Sequence, residues 1–294
     1  MKSDKRAVVL GGRSGLLGMS LTRALAQAGW TPLPVGRADF DPFDQGRLRD
    51  YCKETKADAV FNAVAYTAVD KAEDERDEAF RLNRSLPRLL GLTLRELALP
   101  LVHFSTDFVF DGKKDTPYTP KDAPAPESVY GQSKLAGEQA LFEAAPPGLL
   151  VIRTSWLFGP GKGNFVATIL GLARDRDRLT VVADQTGSPS YTPDLAQNAV
   201  KLLDSGASGL FHLASSGKAT WCELAAEAIS LAGLNCRVDP ITTEQWPTRA
   251  RRPRYSVLDL DDFTEATGVI PRPWEQGLRD YVFKDLGLLD ADDA

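Results

Sequence analysis

Cysteine, histidine and methionine are scarce in this chain, with three, two and two copies among 294 residues. Cys52, Cys222 and Cys236 are too scattered for a disulfide framework or a metal-binding spacing. His103 and His212 each sit within an apolar run, which predicts core positions rather than catalysis or metal ligation. No uncharged stretch reaches the length of a membrane span. The apolar run after the charged residues 1–6 is too short for a signal peptide's apolar region, so a cytoplasmic location is expected. Positive charge is also in deficit. A net charge of −5 argues against a nucleic-acid or anionic-membrane surface. No internal repeat is evident.

What remains is an ordinary globular composition, 43% hydrophobic and 26% charged, long enough for one large α/β domain or two modest ones. The first half alternates short β-rich runs with helical patterns, the signature of βαβ units around a parallel sheet. Strands are expected at 7–10, 31–35, 59–62, 101–105 and 149–154. Helices are expected at 17–28, closed by Gly29, and from Asp44 toward Lys56. A longer helical stretch covers 75–97, with Pro87 starting or kinking its main part. Thr220-x-x-Glu223 is a capping box before the apolar helix 224–232. These patterns predict a Rossmann-type doubly wound sheet over residues 1–158 and a smaller α/β substrate-binding domain over 159–294. Residues 184–214 are a segment suited to return to the first sheet through the strand 209–213. The acidic tail 290–293 is expected to fray.

Gly12-x-x-Gly15-x-x-Gly18 falls where the first strand meets the first helix, the context in which glycines let a backbone approach a dinucleotide pyrophosphate. Ser14, Leu16 and Leu17 lie in that turn and at the helix start, whose N–H groups and dipole favour the anion. After the second strand, Arg37 suits a ribose 2′-phosphate and Asp39 a 2′-hydroxyl. Arg37 comes first, which favours NADPH and leaves NADH open.

Tyr130 and Lys134 stand four residues apart, on one face if their segment is helical. A phenol ordinarily titrates near about 10. A cation about 4 Å away at an effective dielectric of about 20 contributes roughly 4 kcal/mol, which predicts a phenol near about 7. Tyr130 would then be the general acid of a carbonyl reduction. Ser105 and Thr106 end a strand and are expected to hydrogen-bond the same carbonyl oxygen.

With these residues in place, the chain resembles the extended short-chain dehydrogenase/reductase superfamily and, more narrowly, the dTDP-4-dehydrorhamnose reductase family. The likeness is carried by Gly12-Arg13-Ser14-Gly15-Leu16-Leu17-Gly18 and by the runs 62–73, 105–112, 130–138, 153–156, 184–189 and 252–259. It implies reduction at C4 of dTDP-4-dehydro-6-deoxy-L-mannose to dTDP-L-rhamnose by NAD(P)H. In that scheme Thr106, Tyr130 and Lys134 are catalytic, and Tyr130 and Lys134 also touch the cofactor. Ala63, Val64, Ala65 and Tyr66 would pass under the cofactor, and Asp107 and Trp156 would line the sugar site. Arg252, in a cluster with Arg249, Arg251 and Arg254, would meet the nucleotide diphosphate. The resemblance also brings a homodimer and Mg²⁺ at a dimer contact, although no ligand spacing in the chain supports the metal. Leu16, Phe108, Pro120 and Ser190 depart from the usual family pattern.

Two other readings share the fold. A nucleotide-sugar epimerase would keep the Tyr/Lys pair, whereas a 4,6-dehydratase would need an acid where Phe108 follows Thr106-Asp107. A non-catalytic regulatory subunit, resembling that of methionine adenosyltransferase, would not require Thr106, Tyr130 and Lys134 intact.

Overall fold

The first strand shows how the sheet is buried on both sides. Successive side chains of a strand point to opposite faces. In β1 (Arg6–Leu10), Ala7 and Val9 enter one apolar cluster with Leu21, Phe61 and Ile152, while Val8 and Leu10 enter another with Leu48, Val60 and Leu90. A strand apolar on both faces belongs in the middle of a helix-covered parallel sheet.

The computed structural model describes residues 5–288; residues 1–4 and the predicted acidic tail at 290–293 lie outside the described residues. Its central sheet holds β1, β2 (Thr31–Val35), β3 (Ala59–Asn62), β4 (Leu101–Thr106), β5 (Leu150–Thr154) and the strand Gly209–His212. The spatial order is Gly209–His212, β5, β4, β3, β1, β2, with every pairing parallel. The chain therefore leaves β1 for β2 on one side and crosses to β3 on the other, which opens a crevice at the carboxyl ends of β1 and β3.

Local signals place most boundaries. Helix α1 runs Leu16–Gln27, and Gly29 just past it has φ +81°. The Asp44 carboxylate accepts from the Arg47 N–H to open α2 (Gln45–Thr55). The expected helix over 75–97 is divided into Arg76–Phe80, a π turn Arg81–Ser85, and Leu86–Glu96. Pro87 has no N–H to give the Asn83 carbonyl four residues back. The helix Val129–Ala144 approaches closely at that carbonyl: a Cβ on Gly137 would fall 2.0 Å from Asn83 O.

The strand Gly209–His212 pairs with β5, and the helix Thr192–Asp204 packs Leu195, Ala199 and Leu202 into the cluster that holds Leu21 and Leu25 of α1. A separate cluster joins the helices Phe165–Arg174 and Trp221–Leu231 to the paired strands Arg178–Val182 and Arg237–Ile241. The Thr220/Glu223 capping box opens the second of those helices. Thr220→Ala should cost about 1 kcal/mol, seen as a lower urea midpoint with an unchanged slope.

His103 and His212 are buried. Asn62 Nδ2 donates to His103 Nδ1 at 3.0 Å, and His212 Nδ1 donates to the Tyr118 carbonyl at 3.0 Å. Each Nε2 is without a partner, so the two are half-satisfied rather than fully bonded core groups. Burial pushes both pKa values down, His212 to about 3, so both rings are neutral. Among the described residues no helix is long and apolar enough to cross a membrane, and no three His, Cys, Asp or Glu side chains group as metal ligands.

Candidate active site

Close packing explains the glycines at the end of β1. A Cβ on Gly18 would sit 2.2 Å from Gly11 O, one on Gly15 2.9 Å from the same oxygen, and one on Gly12 2.9 Å from Val9 O. Gly11, with φ +83°, makes the turn itself and was not singled out in the sequence. No side chain caps α1 and no acid stands in its first turn, so Leu16 and Leu17 open a helix whose end N–H groups suit an anion. Ser14 lies exposed in the turn.

The second strand's end holds a group that sequence reasoning missed. Arg13, inside the glycine turn, forks onto Asp39 (Nε to Oδ2 2.5 Å, Nη2 to Oδ1 2.8 Å), and its stem lies over Gly36. Asp39 also accepts the Gly36 N–H at 2.8 Å. Arg13 and then this amide hold its carboxyl below the usual range. The acid is thus neutralised by one arginine, while Arg37, two residues before it, makes no ion pair among the described residues. An arginine in the turn before α1 was the available signal.

Ala63 leaves β3 against the glycine turn: a Cβ on Gly11 would meet Ala63 C and O at 3.4 Å and Val64 Cγ2 at 3.5 Å. Ala65 and Tyr66 follow. Asn83 clasps Tyr66, accepting its N–H at 2.8 Å and donating to its carbonyl at 3.0 Å. Its amide also donates to Ser133 Oγ at 2.9 Å, tying this segment to the Lys134 helix. Asn83, too, was not foreseen.

Thr106 ends β4 and caps the short turn Asp107–Val109. Ser128 opens the helix Val129–Ala144 by accepting the Gly131 N–H at 3.1 Å. The helix start docks on that turn so closely that a Cβ on Gly131 would fall 2.2 Å from Phe108 O. Tyr130, half-buried, meets the Phe108 ring edge-on at 5.6 Å. Tyr130 and Lys134 are one turn apart on this helix, and Thr106 interacts with the phenol.

Two expectations about this cluster are corrected. Burial, reinforced by the Asp107 charge and opposed by Thr106, pushes the Tyr130 phenol up to about 12, not down toward 7. Lys134 is buried and gives its Nζ to the Phe104 carbonyl at 2.6 Å, and burial pushes it down to about 8 against the pull of Glu138. Low-dielectric surroundings dominate the phenol, and the lysine that sequence spacing put beside it gives its Nζ to the Phe104 carbonyl instead. Ser105 does not share Thr106's task. Neighbouring strand residues face opposite sides, and Ser105 Oγ donates to the Glu138 carboxylate instead. Glu138 also holds Arg153 in a buried fork, 2.9 Å from Nε and 2.7 Å from Nη2.

The remaining predicted residues rim the same sheet end. Asp107 is buried, accepting from Thr106 Oγ1 at 3.0 Å and from Ser256 Oγ at 2.6 Å, and burial pushes its carboxyl up to about 6. Trp156 follows β5 with φ +49°, a conformation that costs on the order of 1–3 kcal/mol for a non-glycine residue. Its indole stacks on Trp221 at 3.5 Å and 3°. Arg252 grips Asp70 through Nη1 at 3.1 Å and Nη2 at 2.6 Å, so its charge is already paired rather than held free for a diphosphate.

Residues 6–286 match the family described as RmlD substrate binding domain. The chain is 38% identical to the spore coat polysaccharide biosynthesis protein SpsK of Bacillus subtilis, covering 94% of this chain and 96% of that one. It is 36% identical to a dTDP-4-dehydrorhamnose reductase of Sinorhizobium fredii, covering 96% and 98%. The crystal structure of dTDP-4-dehydrorhamnose reductase from Bacillus anthracis in complex with NADP superposes with a TM-score of 0.91 at 33% identity, over 96% of this chain and 99% of that one.

Proposed function

The chain belongs to the dTDP-4-dehydrorhamnose reductase family, and from that premise we propose that it reduces the C4 ketone of dTDP-4-dehydro-6-deoxy-L-mannose to dTDP-L-rhamnose with NADPH. The observation that carries the reading is the convergence of Thr106, Tyr130 and Lys134 at the end of β4, one strand from the crevice that opens onto the glycine turn. We assign the cofactor to residues 1–158 with the returning segment 184–214, and the sugar nucleotide mainly to the rest.

The residues present fit a nicotinamide dinucleotide phosphate. Gly12, Gly15 and Gly18 let the turn pack closely on the end of β1, and the uncapped start of α1 offers its N–H groups to a pyrophosphate. Arg13 and Arg37 supply two guanidinium groups for a 2′-phosphate where Asp39 alone would repel it. When bound, the reduced cofactor supplies the hydride. The chain's own residues handle the proton. Thr106 steadies the ketone oxygen, and Tyr130, holding its proton at neutral pH because of its raised pKa, delivers it as negative charge develops on that oxygen. Lys134, whose Nζ donates to the Phe104 carbonyl, would hold the nicotinamide ribose and would favour the phenolate left behind. Phe108 puts a ring, not an acid, beside Tyr130, which leaves a dehydratase without its second proton carrier.

Mixing the protein with dTDP-4-dehydro-6-deoxy-L-mannose and each reduced nicotinamide cofactor tests this by loss of nicotinamide absorbance. No oxidation with either cofactor would remove the reading. Arg13→Ala should lower the preference for NADPH over NADH about 10-fold, the scale of one charge-assisted contact; the ratio of the two dissociation constants checks it. kcat/KM, which reports groups of the free enzyme, should fall as pH rises through about 8, because Lys134 is charged below that value and neutral above it. A level profile well past pH 8 would take Lys134's charge out of the mechanism.

A further inference from the structure

Trp156 stands in a backbone conformation that few bulky residues adopt, at the same sheet end as Thr106, since Thr106 and Thr154 are register partners. Something must hold it there. One support is Gly187, where a Cβ would fall 2.5 Å from Trp156 Cε2 and 2.6 Å from Nε1. The other is the parallel stack of Trp221.

Trp221 is itself tied down. It is the first residue of a helix fixed by its capping box, and the Phe165 ring packs on it at 4.6 Å. Its Nε1 donates to Gln185 Oε1 at 3.2 Å. Gln185, a buried amide, donates in turn to Thr243 Oγ1 at 3.0 Å, and that hydroxyl donates to Asp184 at 2.7 Å. The same short segment reaches the catalytic turn: Ser256 donates its N–H to Thr186 O at 2.8 Å and its hydroxyl to Asp107. Aromatic stacking and two sets of hydrogen bonds, joined through the backbone of residues 184–186, therefore connect the helix Trp221–Leu231 to the rim beside Asp107.

We propose that Trp221 is a positioning residue for the substrate's sugar: it fixes the Trp156 indole at the angle that receives the apolar face of the 6-deoxyhexose. This rests on the reductase reading above. An indole held in one orientation loses no freedom when a ring settles on it, so the stack acts on affinity for the sugar nucleotide and not on the distant cofactor turn.

Steady-state kinetics with NADPH and dTDP-4-dehydro-6-deoxy-L-mannose separate the two ideas. Absence of wild-type turnover overturns the reductase reading and the inference with it. With an active wild type, Trp221→Leu should raise KM for the sugar nucleotide about 10-fold, the upper end of an aromatic pair's contribution, with the NADPH dissociation constant within about twofold. Trp221→Phe, which keeps the stack, should recover most of the loss. An unchanged KM in the leucine variant, or equal weakening of both ligands, overturns the inference alone. Should that variant not fold, Thr243→Val unhooks Gln185 under milder conditions and is decided by the same comparison, with about a threefold rise in KM expected.

Discussion

Tyr130→Phe should lower kcat by about 10²-fold or more while NADPH affinity stays near that of the wild type. The change removes one oxygen and keeps the ring, so the edge-on contact with Phe108 at 5.6 Å survives. What is lost is the one phenolic proton that stands beside Thr106. A phenol with a pKa pushed up to about 12 is a reservoir that stays full across the neutral range. It releases its proton only when charge builds on the acceptor. In the proposed mechanism Lys134, one helical turn away, would help at that moment by stabilising the phenolate. Stopped-flow measurement of nicotinamide oxidation isolates the hydride step. Single-turnover rates equal to the wild type would assign the proton to another donor.

Arg153→Met should destabilise the fold by about 3–5 kcal/mol, a fall in Tm on the order of 10 °C for a chain of this size. Arg153 and Glu138 side chains are each only 3% exposed, which separates this pair from the many surface ion pairs of the molecule. Removing the guanidinium leaves the Glu138 carboxylate buried with Ser105 as its remaining side-chain donor. The cost is that of an uncompensated buried charge, not of one hydrogen bond. The double variant Glu138→Leu with Arg153→Met removes both charges and should regain much of the loss. Thermal denaturation of the single and double variants checks the pair. A loss under about 1 kcal/mol in the single variant would reduce the bridge to surface rank. Because Glu138 also supports the charge of Lys134, the double variant should shift the alkaline limb of kcat/KM to lower pH.

The two variants act at different levels. Tyr130→Phe tests the proposed proton transfer, whereas Arg153→Met tests a buried ion pair whose side chains are each only 3% exposed. Arg153 holds Glu138, and Glu138 accepts from Ser105, the residue of β4 just before its last, Thr106.

Much of this molecule is written in spacings of a few residues. The unbroken apolar run 7–10 determines a strand buried on both faces, the Asp44 and Thr220 caps determine helix starts, and Gly12, Gly15 and Gly18 determine a closely packed turn. These features depend on neighbours along the chain, so they are legible without coordinates. The resemblance of whole motifs made the family legible as well. Tertiary structure alone decided what faces what across long separations. It set Arg13 onto Asp39, Arg252 onto Asp70, Asn83 between Tyr66 and Ser133, and Trp221 onto Trp156. It also decided the protonation of the site. Spacing brings a lysine near a tyrosine, but only packing fixes how much water each group loses, and that loss drives Tyr130 up and Lys134 down.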